Sequence, residues 1–333
     1  MGQKVMAGYL RAMGVRVRRE DVRVACRSVD PLRTALCHPM FRIKITNHAS
    51  YDGHHAQHIW HLDGVEKLQM YALYSNSIVD GYSKKVMNVN IMGSKRTYHV
   101  FQTFYEAYKL YGIPEIVRID KGYENKDVKV FLYAYHQRPA AIQGQSIRNV
   151  PVEKWHQYEE RYCLFTFRDL FKELEQEGYL DKSNKGHLMV LHYVFLPRIN
   201  STMDVIVKSW NSRHCSSLNH QRPDRVWEDS ANPSENAETT AITNIPPPKH
   251  AQKYHVPVDM TEFNRTYEHI TDEDLRDPRF ARMPQELKDF LDERMGEDNG
   301  MDDDVTRGTH IYIRALELTA QWVDQLREGN NAE

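Results

Sequence analysis

Residues 59–64 read IWHLDG, an apolar run that ends in an acidic residue and a glycine. Two more apolar, β-branched runs follow at residues 73–79 and 86–91, and Asp80-Gly81 supplies a turn between them. The three runs predict a meander of antiparallel strands. Asp63 is expected to end the first strand, because an acidic side chain inside that strand would be costly to bury.

Downstream of the meander, helical and extended patterns alternate. Apolar residues at helical spacing predict a helix that begins at about Thr97. After it we expect a short strand at 116–119, a helix opened by Asp127, a strand at 140–143 and a long helix from about Val152 to Glu177. The order βββαβαβα is typical of an α/β fold in which helices cover both faces of a mixed, five-stranded sheet.

Two more apolar-striped helices, near residues 188–195 and 206–210, complete this body at about Trp227. The expected segments are a partial helix-turn-helix-like unit at 1–30, a polar linker at 31–56, the α/β body with its trailing helices at 57–228, and an acidic, partly disordered tail with short helices at 229–333.

The charges are divided unequally along the chain. Residues 1–230 contain 33 lysines and arginines against 24 acidic residues, whereas the remaining 103 residues contain 11 against 22. A basic body with an acidic appendage is typical of a protein that binds a polyanion such as nucleic acid. Charge runs are also common on ordinary solvated surfaces, so the pattern alone leaves both interpretations open.

The four cysteines are too far apart in sequence for a C-x-x-C pair, which argues against a zinc knuckle and against a disulfide framework. No apolar run approaches the roughly 20 residues of a membrane span, and the basic N-terminus lacks the apolar stretch of a signal peptide. We therefore expect a nuclear or cytoplasmic protein that is neither secreted nor bound to a membrane, with no small-molecule organic cofactor.

Three acidic residues suit metal-dependent phosphodiester chemistry. That chemistry needs two or three carboxylates on rigid elements, so that divalent ions about 4 Å apart contact the attacking and the leaving oxygen. Asp63 and Asp120 each end a predicted strand beside a glycine-containing turn, and Glu153 lies at the start of the long helix. Each acid alone is more often a cap or a turn residue, but the three in this order predict a shared site.

Several blocks of the chain resemble the retroviral-type integrase core of eukaryotic transposons and of proteins derived from them. The blocks are WHLDG (60–64), VDGYSK (79–84), RIDKGYEN (118–125), SIRNVPVEKW (146–155), LHYVFLPRIN (191–200) and, more weakly, LNHQRPDRVW (218–227). The resemblance implies an RNase H-like fold, and it implies Asp63, Asp120 and Glu153 as ligands of Mg²⁺ or Mn²⁺. It also implies DNA as the substrate, with hydrolysis of strand ends followed by attack of a 3′ hydroxyl on target DNA.

Residues near the triad and in the N-terminal unit are expected to contact nucleic acid. They are Lys121, Asn149 and Lys154, with Arg16, Arg19 and Arg23 on or near the second N-terminal helix. A helical hairpin with solvated arginines explains the N-terminal residues about as well. His54, His55, His58 and His61 are interpreted as exposed histidines before and along the first strand rather than as a metal cluster.

Two departures from the family pattern bear on activity. Tyr123 stands where relatives commonly have a second glycine, and Pro151 stands where they commonly have a basic residue. The leading hypothesis is a metal-dependent integrase or transposase that acts on DNA, with a homo-oligomer among the assemblies left open. The alternatives are a domesticated or decayed relative that binds nucleic acid without catalysis, and an RNase H-like nuclease that performs no strand transfer.

Overall fold

The computed structural model of the chain describes residues 3–29, 53–120, 122–143, 150–230, 283–296 and 308–330. Its strands are β1 (Ile59–Leu68), β2 (Leu73–Asp80), β3 (Val86–Met92), β4 (Ile116–Ile119) and β5 (Ala141–Gln143). Its α-helices are α1 (Gln3–Ala12), α2 (Arg19–Val29), α3 (Thr97–Tyr111), α4 (Lys126–His136), α5 (Val150–Glu159), α6 (Phe165–Gln176), α7 (Lys185–Ser212), α8 (Pro223–Ser230), α9 (Gln285–Met295) and α10 (Thr309–Asn330).

The five strands form one mixed sheet in the order β3-β2-β1-β4-β5. Strand β2 pairs with β1 and β3 in antiparallel fashion, which confirms the predicted meander. Strand β4 pairs with β1 and β5 in parallel. The crossovers into the parallel strands run through α3 and α4, because parallel neighbours cannot be joined by a tight turn. The predicted α/β class and the five-stranded sheet are confirmed.

One face of the sheet packs against α3 and α4. Trp60 on β1 is fully buried there, and its ring meets the edge of Phe104 at 6.2 Å between centroids. Phe131 of α4 packs against Phe101 and Phe104 of α3 at 5.5 and 5.6 Å. A buried side chain of this size contributes roughly 1.5–3 kcal/mol by its removal from water. The apolar residues at helical spacing that predicted α3 therefore form the core of this layer.

The other face packs against a larger helical layer built around α5, α6 and α7. Trp155, Phe171 and Phe195 are fully buried in this layer. The same cluster includes side chains of α1, α9 and α10, such as Val5 and Leu291. The N-terminal helix, the helices after the sheet and the two C-terminal helices therefore share a single apolar core.

Helix α7 runs unbroken for 28 residues, although the sequence predicted two separate helices there, and that prediction was wrong. Pro197 lies inside it, and an internal proline removes one backbone hydrogen bond at a cost of about 3 kcal/mol. Phe195, Ile199 and Met203 are buried on both sides of the proline. Their packing offsets the missing bond, so tertiary contacts override a local signal that would end an exposed helix.

Two asparagines of α7 bind the backbone of β3. Asn200 Nδ2 donates to Ile91 O and Asn200 Oδ1 accepts from Ile91 N–H, both at 3.1 Å. Asn211 makes the same pair of bonds with Val86, both at 2.9 Å. These four bonds fix α7 along β3.

The predicted long helix is present but contains an irregular segment. Between α5 and α6 the residues Glu160–Leu164 form a π-helix, which the apolar pattern did not predict. The helix ends at Gln176, and Gly178 follows two residues later with a φ of +81°, which glycine adopts without strain.

The N-terminal unit has the two short helices that the sequence predicted, with Gly14 at a φ of +76° between them. It does not stand apart from the body. Arg11 Nη1 donates to Ser212 O at 2.8 Å, and Ser209 Oγ donates to Val5 O at 2.9 Å. Helix α1 therefore packs directly along α7.

The two C-terminal helices also dock on α7. Leu287 and Leu291 of α9 and Ile311 and Tyr312 of α10 are buried in the larger core. The sequence predicted short helices in the tail, whereas α10 spans 22 residues. The rest of that predicted tail, and residues 31–52 of the predicted linker, lie outside the described residues.

Candidate functional site

Asp63 and Asp120 occupy equivalent positions on neighbouring parallel strands. The β1–β4 ladder pairs Ile59 with Ile116 and His61 with Arg118, a constant offset in sequence. Two residues further along each strand, the same offset aligns Asp63 with Asp120. Neighbouring strands lie about 4.8 Å apart and residues two apart face the same side. Continued two residues past its last pair, the register places the two aspartates side by side. Asp63 itself lies in the middle of β1, which runs on to Leu68 beside β2, so the prediction that Asp63 ends the first strand was wrong.

The chain after β4 turns around the Asp120 carboxylate. Asp120 Oδ1 accepts bonds from the backbone N–H of Gly122 at 3.0 Å and from Asn125 Nδ2 at 2.5 Å. On β1, Asp63 Oδ1 accepts from the N–H of Gly64 at 2.9 Å. Both aspartates are partly exposed, so they face an accessible surface rather than the core.

Helix α5 is attached to the sheet next to Asp63. Trp155 Nε1 donates to Ser77 Oγ at 2.9 Å, and Ser77 is the β2 residue that pairs with Asp63. The buried ring of His156 lies beside the backbone of Asp63 in β1. Glu153 lies three residues before His156, and side chains at that spacing are neighbours on a helix. Glu153 is therefore on the turn of α5 that adjoins the middle of β1.

A second acidic residue of α5 is buried beneath this junction. Glu159 is fully buried, and its Oε2 accepts a bond from Ser77 Oγ at 3.0 Å. Burial raises the pKa of Glu159 to about 8, although bonds from Ser77 and other neighbours favour the charged form. At neutral pH the carboxyl group is mostly protonated. Burial also lowers the pKa of His156 to about 4, so the ring that contacts Asp63 is neutral.

A small cavity opens at the two aspartates, with a volume of about 30 Å³, enough for one water or one metal ion. Asp63 and Asp120 both line it. The other polar residues that line it are Glu66, Ser75, Asn76, Lys95, His99, Glu124 and Asn125. Glu153 is not among the described residues that line this cavity.

The donor atoms of the cavity suit a hard divalent cation, since Mg²⁺ and Mn²⁺ prefer carboxylate and amide oxygens. Asn125 is 3% exposed, and its Oδ1 has no hydrogen-bond partner among the described residues. A bound cation would satisfy that oxygen. Within the described part of the chain, however, no group of three or more His, Cys, Asp or Glu side chains is arranged to hold a metal ion. The residues therefore fit a cation at Asp63 and Asp120, while Glu153 stays a prediction.

A lysine already lies among these acids. Lys95 Nζ bonds to Glu66 and lies 3.8 Å from Glu124 Oε1. Burial lowers the pKa of Lys95, but Glu66, Glu124 and Asp120 together outweigh burial and raise it. The ammonium is therefore fully charged at neutral pH. Asp120 and Glu124 also favour the charged form of Lys129, but burial has the larger effect and lowers the pKa of Lys129 overall.

The residues predicted to contact nucleic acid are scattered. Lys154 is exposed beside Glu153 on the first turn of α5. Arg16 is exposed in the loop before α2, and Arg23 on α2 bonds to Glu20 at 3.1 Å. Lys121, Asn149 and the side chain of Arg19 lie outside the described residues. Nothing in the described geometry brings the N-terminal arginines to the aspartate cavity.

The departures noted in the sequence leave the cavity open. The side chain of Tyr123 is 66% exposed and, among the described residues, is not part of the cavity wall. Pro151 lies in the first turn of α5, where a proline costs no helical hydrogen bond.

The interpretation of the histidines as exposed was wrong for two of them, since His58 and His61 are 4% and 0% exposed. His58 directly precedes β1 and His61 lies within it.

Several site residues were missed. Glu66, Glu124 and Asn125 follow the two aspartates closely in sequence, and that proximity was the available signal. Lys95 comes from the loop between β3 and α3, so only tertiary structure brings it to the cavity. The sequence did not indicate that Glu159 is buried, because the apolar pattern of a helix does not show which acidic residue will be buried.

The described residues include no helix that is both long and apolar enough to cross a membrane. A comparison with curated proteins finds no match. Among solved structures, the chain is similar to the HTLV-2 integrase catalytic core domain in complex with magnesium, at 16% identity and a TM-score of 0.36, over 52% of this chain and 98% of that one.

Two other solved structures are similar at the same level. The catalytic core domain of BIV integrase matches at 11% identity and a TM-score of 0.34, over 52% of this chain and 95% of that one. The simian T-cell lymphotropic virus intasome, solved with the PP2A regulatory subunit B56 gamma, matches at 12% and 0.37, over 73% of this chain and 80% of that one.

The comparison with family models is more specific. The model for the integrase core domain matches residues 50–241, which is more than half of the chain and includes the whole sheet, the aspartate cavity and helices α3 to α8. The chain therefore belongs to the integrase core domain family.

Proposed function

We propose that this protein is a metal-dependent polynucleotidyl transferase that cleaves and joins DNA strands. In this proposal Asp63, Asp120 and Glu153 bind Mg²⁺ or Mn²⁺, and DNA is the substrate. The observation that supports it most is that Asp63 and Asp120, each two residues beyond the last ladder pair of two adjacent parallel strands, line one cavity with other oxygen donors.

Each residue has a distinct task. The aspartates come from neighbouring strands whose spacing is set by the backbone, so they would hold a cation without first reorganising. Glu153 comes from α5, which Trp155 and His156 attach to the same strands. Bound metal would supply charge stabilisation for the attacking and leaving oxygens of the phosphodiester.

DNA contacts are proposed to come mainly from the basic part of the chain. Residues 1–230 have a net charge of +9, and Lys154 is exposed next to Glu153. Phosphate contacts release counterions, so the affinity should fall steeply with salt. Association into a homo-oligomer and location in the nucleus are part of the same proposal.

A second candidate is a domesticated relative that binds nucleic acid without cutting it. One observation favours it: Glu153 does not line the aspartate cavity, and no three-ligand metal group is present among the described residues. The family fold alone is compatible with both functions.

The decisive experiment compares the wild type with Asp120→Asn on labelled duplex DNA, with Mg²⁺ and with Mn²⁺. The substitution is nearly isosteric and keeps an acceptor for Gly122 and Asn125, but removes the charge that binds the metal. Nicking and strand-transfer products should appear with the wild type and disappear with the variant. DNA binding, measured in parallel, should persist.

Asp169→Asn is the matched control, since Asp169 is exposed on α6 and bonds to Arg168 rather than to the site. It should cut as the wild type does. Nicking without strand transfer would select the nuclease, and DNA binding without nicking under either metal would select the domesticated relative. Equal cutting by wild type and Asp120→Asn would show that the site is wrongly assigned.

A further inference from the structure

The cavity at the two aspartates has more acid than the predicted triad requires. Glu66 follows Asp63 by three residues on β1, and Glu124 follows Asp120 by four in the turn after β4. All four side chains line the same space of about 30 Å³. Carboxylates that line one small cavity repel one another, and a cation nearby relieves that repulsion.

Lys95 supplies that cation from a third element. Its ammonium bonds to Glu66 and lies 3.8 Å from Glu124 Oε1, so it bridges β1 and the turn that follows β4. Among the described residues that line the cavity, it is the one lysine. The protein therefore places its own positive charge where carboxylates converge.

The backbone at Lys95 is held in place, but the ammonium end of its side chain is accessible to solvent. The preceding residue, Ser94, is fully buried and its carbonyl bonds to the His99 ring at the start of α3. The Lys95 side chain is 46% exposed. Rotation about its side-chain bonds can thus carry the ammonium from the cavity to solvent without moving the backbone.

We propose that Lys95 is an internal counter-ion that competes with divalent metal for the acidic cavity. In the metal-free protein its ammonium neutralises Glu66 and Glu124 and lowers the negative potential at Asp63 and Asp120. Metal binding displaces it toward solvent, at the edge of the site. The inference rests on the proposed function, because it takes the aspartates as the metal-binding residues.

The test measures metal binding rather than activity. Mn²⁺ is titrated calorimetrically into the full chain of wild type and of Lys95→Met, which keeps the length of the side chain but not its charge. The variant should bind Mn²⁺ about three- to tenfold more tightly, because the cation no longer has to displace an ion pair. In the absence of metal it should melt at a lower temperature than the wild type, since the carboxylates lose their counter-ion.

Two variants serve as controls. Lys95→Arg keeps the charge and should bind Mn²⁺ as weakly as the wild type. Lys67→Met removes a lysine of similar exposure that pairs with Glu160 at 3.7 Å, outside the cavity, and should leave Mn²⁺ affinity unchanged. A similar gain in Lys67→Met would mean that general charge, not the position of Lys95, sets the affinity, and would overturn the inference.

The remaining outcomes separate this inference from the proposed function. If the wild type binds Mn²⁺ and Lys95→Met binds it equally or more weakly, the counter-ion role is overturned and the metal site stands. If Lys95→Met fails to fold, Lys95→Arg decides: an affinity well above that of the wild type contradicts the role, and an unchanged affinity supports it. If no variant binds Mn²⁺, both the inference and the proposed metal site fall.

Discussion

The candidate site has two halves that are positioned by different forces. Asp63 and Asp120 are placed by the hydrogen-bonded register of β1 and β4. Glu153 is placed by helix α5, which reaches the sheet through side chains such as Trp155. A backbone ladder allows almost no slip, because a shift of one residue would turn every side chain to the other face. A helix held by side chains depends on each of those contacts, so the second half should be the more sensitive to substitution.

The largest effect is expected where the helix half meets the core. Trp155→Ala should lower the free energy of unfolding by about 3–5 kcal/mol, because it removes a fully buried ring and its bond to Ser77. Trp155→Phe keeps most of the packing and should cost about 1–2 kcal/mol. Urea denaturation of both variants measures the difference. A loss below about 1 kcal/mol in Trp155→Ala would show that α5 is held in another way.

The next largest effect is expected in Mn²⁺ affinity, which is compared between a variant of the sheet half and a variant of the helix half. Asp63→Asn should weaken Mn²⁺ binding by on the order of a hundredfold, because Asp63 lines the cavity. Glu153→Gln should weaken it by about tenfold or less, while DNA cleavage is lost in both variants. Calorimetry gives the affinities. Equal losses would mean that Glu153 joins the same cation site as the aspartates in solution.

The pH dependence of stability tests the buried acid of the helix half. The pKa of Glu159 is about 8 in the folded chain, above its ordinary value of 4.5. Between these two values the unfolded chain releases a proton that the folded chain keeps, so stability falls as pH rises. Glu159→Gln removes that loss. From pH 5 to 7.5 it should gain roughly 3 kcal/mol relative to the wild type, at about 1.4 kcal/mol per pH unit.

Because Glu159→Gln is compared with the wild type at each pH, the contributions of other titrating groups to stability cancel in the difference. His156, whose pKa burial lowers, is one such group. Glu173→Gln, an exposed position on α6, is the control and should follow the wild-type pH profile. Parallel profiles for Glu159→Gln and the wild type would mean that Glu159 is charged in the folded protein.

The smallest effect is expected at the contact between α10 and α7 in the larger helical layer. Tyr312 Oη donates to the His187 carbonyl at 3.3 Å, while its ring is buried against Phe195. Tyr312→Phe keeps the ring and should cost less than about 1 kcal/mol. Thermal unfolding should show a shift of a few degrees at most. A larger shift would reveal a stronger tie between α10 and α7 than the bond length indicates.

The sequence predicted the sheet half in part: the apolar runs located β1 and β4, but β1 continues past Asp63 to Leu68, so Asp63 does not end its strand as Asp120 does. A period of two residues and a terminal acid are local signals. The helix half was only partly predictable. The start of α5 followed from its pattern, but the burial of Glu159 and the π-helix after it depend on contacts with β2 and α7. Such contacts join residues far apart in sequence and leave no periodic trace.

The acidic tail shows the same limit. Its composition predicted disorder with short helices, yet α9 and α10 bury Leu291 and Tyr312 against the body. Deletion of residues 231–333 would expose the apolar face of α7, so charge-neutralising substitutions on the exposed side of α10 are the cleaner test of whether the tail affects DNA binding.

The two asparagines of α7 also restrict how copies of this protein can assemble. Strand β3 is an outer strand of the sheet, and such strands commonly recruit a strand from another molecule. Asn200 and Asn211 already occupy the backbone groups of Ile91 and Val86 that an incoming strand would use. Extension of the sheet at β3 by a strand of a second copy is therefore disfavoured, and the same two residues protect this edge from amyloid-like pairing.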